Sequence, residues 1–289
     1  MFKRVIIASE LSSTAFAALH CLKSLKSLGV TECLLLQCVS PEDMNAITAP
    51  FVSRVLEEAL AKQKAILAEL GYEVQTRVLK GKMKNEINRI AVEENFSLIV
   101  ASSTEHSLLS EVLLGGVARE VIHHAKKPML LVRVAENPAE SLSKTKDCNL
   151  LEHILFPTDF SDNARLAFDY LKAIAADGAK KVTLLHVQDL SRIAPDRLDE
   201  FNKADELRLQ ELKSSLLANG RFEVETMLLQ GSPAVEIIQL VNEQKIPLVV
   251  MGSQGRGFVN ELFLGSVSHN VARHSAASVL LVPAKRPVK

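Results

Sequence analysis

Five short runs rich in Val, Ile and Leu recur in each half of the chain, separated by longer stretches in which apolar residues return every three or four positions. In the first half the runs are 5–9, 34–38, 74–79, 98–101 and 129–132; in the second they are 154–158, 183–187, 224–229, 248–251 and 279–282. They alternate little between apolar and polar, as strands covered on both faces do. Between them, segment 15–28 carries Phe16, Leu19, Leu22 and Leu25 near a helical period, and 164–176 carries Leu166, Phe168, Leu171 and Ile174. The same reasoning predicts long helices over 51–70 and 198–217, shorter ones over 83–94 and 234–243, and last ones over 112–124 and 262–274. Ser12 and either Ser161 or Asp162 are candidate N-caps, while Gly71 and Gly220 mark helix ends.

Strand and helix therefore alternate as βαβαβαβαβ, twice, at an offset of about 150 residues. This pattern predicts an α/β fold: two tandem repeats of a five-stranded, mostly parallel sheet with helices on both faces and right-handed crossovers. The expected boundaries are 1–136 for the first domain, 137–149 for a polar, aperiodic linker, and 150–289 for the second domain. Long loops over 40–50 and 189–196 follow the second strand of each repeat, on the sheet edge where a ligand would be covered.

With 289 residues, 47% of them apolar, the chain can bury two cores. Its 34 basic and 34 acidic residues cancel, Trp is absent and aromatics make up 4%, so no nucleic-acid footprint is visible. No apolar run approaches the ~18 residues of a membrane span, and the apolar start closed by Glu10 is too short for a signal peptide, so a cytoplasmic protein without membrane contact is expected. Cys33 and Cys38 are not at metal-ligand spacing, and nothing pairs with Cys148 at a recognisable interval. All four cysteines, Cys21 included, read as buried thiols of a reducing compartment. His123, His124 and His274 near the ends of the fourth helices fit helix termini better than a metal site, and no metal site is expected.

The chemistry concentrates in the second repeat. Gly252-Ser-Gln-Gly255, nine residues, then Gly265-Ser266 directly follow the fourth strand, where glycines let backbone N–H groups approach a phosphate. The dinucleotide fingerprint does not fit, because these glycines follow the fourth strand and not the first. The P-loop pattern fails as well, since no Lys-Ser or Lys-Thr follows them. Asp159 and Asp189 are the nearby acids, with no visible base and nucleophile pair, so no catalytic residue is assigned. Arg256 reads equally as a phosphate contact or a solvated loop residue, and His269 as an ordinary helix residue.

The whole arrangement resembles the universal stress protein family in its tandem form. The resemblance covers nearly all of the chain except the linker. Its most specific part is Gly252-x-x-Gly255-x9-Gly265-Ser266, and the stretch from Ile154 to Ser161 and Leu185-His186-Val187 are also typical. Pro247 departs from the family's usual acid before the fourth strand, a place where proline is tolerated. The resemblance implies a Rossmann-like sheet in the order 3-2-1-4-5 and a cofactor that is ATP or AMP, with Mg as an optional companion. It further implies that Asp159 bonds the adenine or its sugar edge, that Pro157 and Thr158 shape the base pocket, and that Val187 meets the ring through its backbone. Gly252, Gly255, Gly265 and Ser266 would take ribose and phosphates, with Phe160 and Met227 as pocket walls.

The first repeat has Ser102 for Gly252, Glu105 for Gly255 and Gly116 for Ser266, keeping only Gly115, and Ser9-Glu10 stands for Thr158-Asp159. A carboxylate where phosphate should lie is repulsive, and His106 does not offset it at neutral pH, so this repeat is expected not to bind ATP. The preferred reading is a stress-associated adenine nucleotide-binding protein without fast turnover. The alternatives are a slow ATPase or phosphotransferase, and a ligand-free interaction scaffold. The apolar fifth strands, 130–134 and 279–283, are expected to pair the two domains within one chain, with a homodimer as a further possibility.

Overall fold

An aliphatic strand with no polar face must be covered above and below, and parallel neighbours need a crossover of a dozen or more residues to connect them. Both demands are met by the computed structural model, which describes residues 1–9, 12–39, 49–104, 118, 121–122, 124–134, 148–192, 195–218, 220–255 and 264–284. The chain divides into two units, Met1–Cys148 and Asn149–Lys289.

The first unit runs β1 (Arg4–Ala8), α1 (Ser13–Cys21), β2 (Glu32–Val39), α2 (Ala49–Glu69), β3 (Glu73–Lys80), α3 (Met83–Glu93), β4 (Leu98–Thr104) and β5 (Met129–Val134). Its strands lie parallel in the order β3-β2-β1-β4-β5. The second unit runs β6 (His153–Pro157), α4 (Asp162–Ala176), β7 (Lys181–Gln188), α5 (Leu198–Leu217), β8 (Glu223–Gln230), α6 (Pro233–Gln244), β9 (Leu248–Gly252), α7 (Ser266–His274) and β10 (Ser278–Val282). Its order is β8-β7-β6-β9-β10, again parallel, so each unit is the 3-2-1-4-5 sheet expected. The central strands are buried apart from end residues such as Arg4, His153 and Gly252, with Val5, Ile6, Ile154, Leu155 and Val249 in the core. The edge strands β3 and β8 are covered less than their aliphatic runs predicted and are mostly exposed or half-buried.

Local signals behave as their chemistry dictates. Ser12 and Ser161 cap α1 and α4, accepting from the N–H of Ala15 and Ala164. Gly71 closes α2 at φ +84°, a backbone conformation a side chain would strain. α1 is shorter than expected: it ends at Cys21 and tightens into a 3-10 turn over Leu22–Lys26. The hydroxyls of Ser24 and Ser27 donate to the carbonyls of Cys21 and Ser24 there, competing with the α-helical ladder. Leu22 and Leu25 stay buried, since a spacing of three serves either helix. The helix expected over 262–274 begins at Ser266 with Gly265 as its cap; 262–263, most of 112–124 and the linker up to 147 lie outside the described residues.

The cysteine expectation is corrected. Cys21 and Cys148 are joined in a disulfide, their Cα atoms 5.1 Å apart across 127 residues of sequence. No spacing rule reaches that far, because closure depends on where α1 ends relative to the chain beyond β5. Cys33 is a buried thiol, which burial pushes up to about 12. In the chain-entropy account, a bridge closing so long a loop restricts the unfolded first unit by up to about 5 kcal/mol. Reduction or Cys21→Ser is therefore expected to lower the first unit's unfolding midpoint and leave the second unit's unchanged. Alkylation of denatured protein before and after reduction checks the pairing: reduction should expose two further sites, and no gain would remove the bridge.

Candidate functional site

The second unit's chain moves from β6 to β7 and β8 on one side, then returns to place β9 and β10 on the other. β6 and β9 are therefore neighbours, in register at Ile154↔Leu248 and Leu155↔Val249, while the connections leaving them go opposite ways. A crevice opens at such a reversal, outside the carboxyl ends of the strands. Three pieces of chain converge there: the turn after Pro157, the end of β7 at Val187, and the glycine turn after β9.

The turn after β6 is tied by its own side chains. Thr158 Oγ1 accepts from Phe160 N–H at 3.0 Å, and Asp159 Oδ1 accepts from Ser161 N–H at 3.1 Å. Phe160 takes φ +59°, rare for a bulky residue, and its ring lies 4.6 Å from the His186 ring. His186 Nδ1 is 2.7 Å from the Thr158 carbonyl, which can only accept, so Nδ1–H donates. Its Nε2 faces Asp205 Oδ2 at 3.4 Å, which also receives Gln188 Nε2 at 2.9 Å, while Arg208 donates to Oδ1 at 3.1 Å. Asp205 is only 5% exposed, and these donors from β7 and α5 compensate its burial. Gln188, Asp205 and Arg208 escaped the sequence reading because they form no motif. The available signal was an acid four residues before Leu209, on the helix face that turns inward.

Around the glycine turn, the three glycines are crowded unequally. A Cβ on Gly252 would fall 2.8 Å from Asn163 Nδ2 and 3.3 Å from the Asn163 backbone carbon, so the first turn of α4 presses on this residue. A Cβ on Gly255 would fall 2.6 Å from Asp159 Oδ2, and one on Gly265 would stand 3.4 Å from Gln254 Cα. Ser253 knits the turn: its N–H donates to Val282 O at 2.9 Å, and its carbonyl accepts from Gly265 N–H at 2.8 Å and Ser268 Oγ at 2.6 Å. Asn163 Nδ2 donates to Gln254 O at 3.1 Å. α7 then starts at exposed Ser266 behind Gly265, a cap residue with no side chain, so among the described residues no side chain caps its first N–H groups.

The structure thus brings the Thr158-Asp159 turn and the turn carrying Gly252, Gly255 and Gly265 side by side, with Pro157 buried at the end of β6 and Ser266 opening α7. Val187 is 9% exposed at the end of β7, one strand over. Met227 lies on edge strand β8 opposite Leu185, and Phe160 turns to His186. A surface groove of about 620 Å³ between α5 and β8 includes none of these residues. In the first unit, Ser102 pairs in register with Val132 as Gly252 does with Val282. Buried Ser9 donates its hydroxyl to Gln63 Oε1 at 2.7 Å, bringing an α2 amide to the position where the second unit has Thr158. Glu10, Glu105, His106, Gly115, Gly116 and Arg256 lie outside the described residues. Among those described, no cluster of metal-ligating side chains occurs and no helix is long and apolar enough to cross a membrane.

Both halves match the model of the universal stress protein family, over residues 1–133 and 151–283. Universal stress protein MJ0577 of Methanocaldococcus jannaschii is 31% identical over 157 residues, covering 47% of this chain and 97% of that protein. A universal stress protein of Mycolicibacterium smegmatis is 22% identical over 294 residues, covering 96% of each chain. Among solved structures, a universal stress protein from Archaeoglobus fulgidus is similar with a TM-score of 0.74 at 25% identity, over 97% of this chain and 98% of that one.

The unequal crowding of the glycines makes a prediction. Gly252→Ala forces α4 or the turn to shift and is expected to cost about 1–3 kcal/mol of the second unit's stability. Gly265→Ala meets only ordinary contact and is expected to cost less than about 1 kcal/mol. Urea unfolding of both variants measures the difference, and equal costs would show that the approach of Asn163 is not what keeps position 252 small.

Proposed function

The chain belongs to the universal stress protein family, and on that premise we propose that its second unit holds one adenine nucleotide, ATP or AMP, as the regulatory ligand of a stress-associated protein. The observation that carries this reading is the meeting, at the reversal of strand order, of a glycine turn and a glycine-capped helix N-terminus with the Thr158-Asp159 turn. The donor set suits a polyanion: backbone N–H groups at α7, no Cβ at Gly252, Gly255 or Gly265, and the Ser266 hydroxyl. Pro157, Thr158, Asp159 and Val187 would hold the base and sugar end, and Gly252, Gly255, Gly265 and Ser266 the ribose and phosphates. Magnesium finds less support. Asp159 Oδ1 is engaged with Ser161 N–H, and Asp189 Oδ1 with the N–H and hydroxyl of Ser191, so each acid already serves its own turn.

The first unit is read as a partner that does not bind ATP, with Gln63 set against Ser9. Slow hydrolysis or phosphoryl transfer is the second reading. It would need a positioned base beside the phosphates, whereas His186 is held by the Thr158 carbonyl and covered by Phe160. From the apolar composition of residues 130–134 and 279–283 alone, we further propose that the two repeats associate with each other. Separately expressed repeats that co-purify in equimolar amount support this, and independent monomers overturn it.

Mass spectrometry of small molecules released by denaturing protein purified without added nucleotide is expected to find about one ATP or AMP per chain. ADP formation faster than about 1 s⁻¹ would favour the enzymatic reading. Gly255→Glu is expected to weaken nucleotide binding at least about tenfold, or ~1.4 kcal/mol, in titration calorimetry. The new side chain both displaces Asp159 and sets a carboxylate toward the phosphates. Affinity within about threefold of the parent would place the phosphates elsewhere.

A further inference from the structure

We propose that Asn163 is the positioning residue of this site: its amide holds the Gln254–Gly255 peptide in the orientation that presents Gly255 N–H for binding. The proposal rests on the nucleotide reading for what that N–H would bind, and on geometry alone for the orientation itself. Asn163 is the second residue of α4, whose cap is Ser161, so its backbone already belongs to a rigid first turn. Its Nδ2 donates across 91 residues of sequence to the Gln254 carbonyl at 3.1 Å. The amide cannot turn over without setting Oδ1 against that carbonyl, two acceptors face to face. Gly252 makes room for the amide, since a Cβ there would sit 2.8 Å from Nδ2 and 3.1 Å from Cγ.

In a planar trans peptide the C=O and N–H point opposite ways. Drawing the Gln254 carbonyl toward α4 therefore turns the Gly255 N–H away from α4. Among the described residues that N–H has no backbone acceptor, and a Cβ on Gly255 would fall 2.6 Å from Asp159 Oδ2. The arrangement costs something. Among the described residues Asn163 Oδ1 is buried and meets no donor, a penalty on the order of 1–3 kcal/mol that a residue serving only the helix would not carry. Two features of the glycine motif are thereby linked to a residue outside it: why position 252 lacks a side chain, and which way the peptide before position 255 faces.

The test uses the full chain with Asn163→Ala and Asn163→Asp. Aspartate keeps the shape but cannot donate at neutral pH, and it would confront the Gln254 carbonyl. A purely helical role predicts the opposite for it, because an acid in the first turn favours the helix dipole. We expect both variants to lose at least about tenfold in ATP affinity by calorimetry, the aspartate more than the alanine. In nucleotide-free protein, amide exchange of segment 252–255 is expected to rise about tenfold while α4 beyond its first turn is unchanged. Parental affinity together with parental exchange in both variants overturns the proposal. A loss of affinity without faster exchange also overturns it and makes Asn163 a direct contact. Should the parent bind neither ATP nor AMP, the nucleotide reading fails, and the exchange measurement alone decides whether Asn163 orients the turn.

Discussion

Parallel strands buried on both faces can be connected only by crossovers, and right-handed crossovers on both faces of one sheet force the strand order to reverse somewhere. In the second unit that reversal falls between β6 and β9, and the candidate site follows from it. The turn after β6 runs to one face and the turn after β9 to the other, so their backbones end side by side with a gap between them. Every residue of the candidate site lies on or next to these two turns and the end of β7. The core beneath, with Ile154, Leu155, Val249 and Val250 fully buried, keeps the strand ends from drifting.

Little of the site consists of long side chains. It is built from backbone, small residues and one half-buried carboxylate, and its precision comes from contacts just outside it. Asp205 gathers Gln188, Arg208 and the His186 ring, and His186 in turn holds the Thr158 carbonyl. Asn163 does the same for the glycine turn. The consequence is coupling. Gly255 and Asp159, read from the sequence as separate contacts to opposite ends of a nucleotide, touch one another, so a side chain added at one moves the other.

The two units share a sheet order but finish it differently. Where the second unit has Thr158 bonded within its own turn, the first has Ser9 bonded to Gln63 from α2. Where the second ends its β9 at Gly252, the first continues β4 through Ser102 to Thr104. Only the first carries a cross-link, from the end of α1 to Cys148. A repeated fold thus conserves what burial demands of strands, and is free to change where the chain leaves them.

What was legible in the sequence is what depends on near neighbours in the chain. Ten aliphatic runs became ten strands within one to three residues at their ends, and α5 spans the predicted 198–217 because a long helix repeats its burial pattern many times. Ser12 and Ser161 were readable as caps because a cap bonds three residues ahead. The glycine spacing was readable too, and with it the side of the sheet on which to look. Tertiary structure alone decided which groups meet. Asn163 reaches Gln254 over 91 residues, Ser9 reaches Gln63 over 54, and Cys21 reaches Cys148 over 127. Periodicity records whether a residue faces inward, but not what it will find there; that is settled only when crossovers and helices pack and bring distant turns within hydrogen-bonding distance.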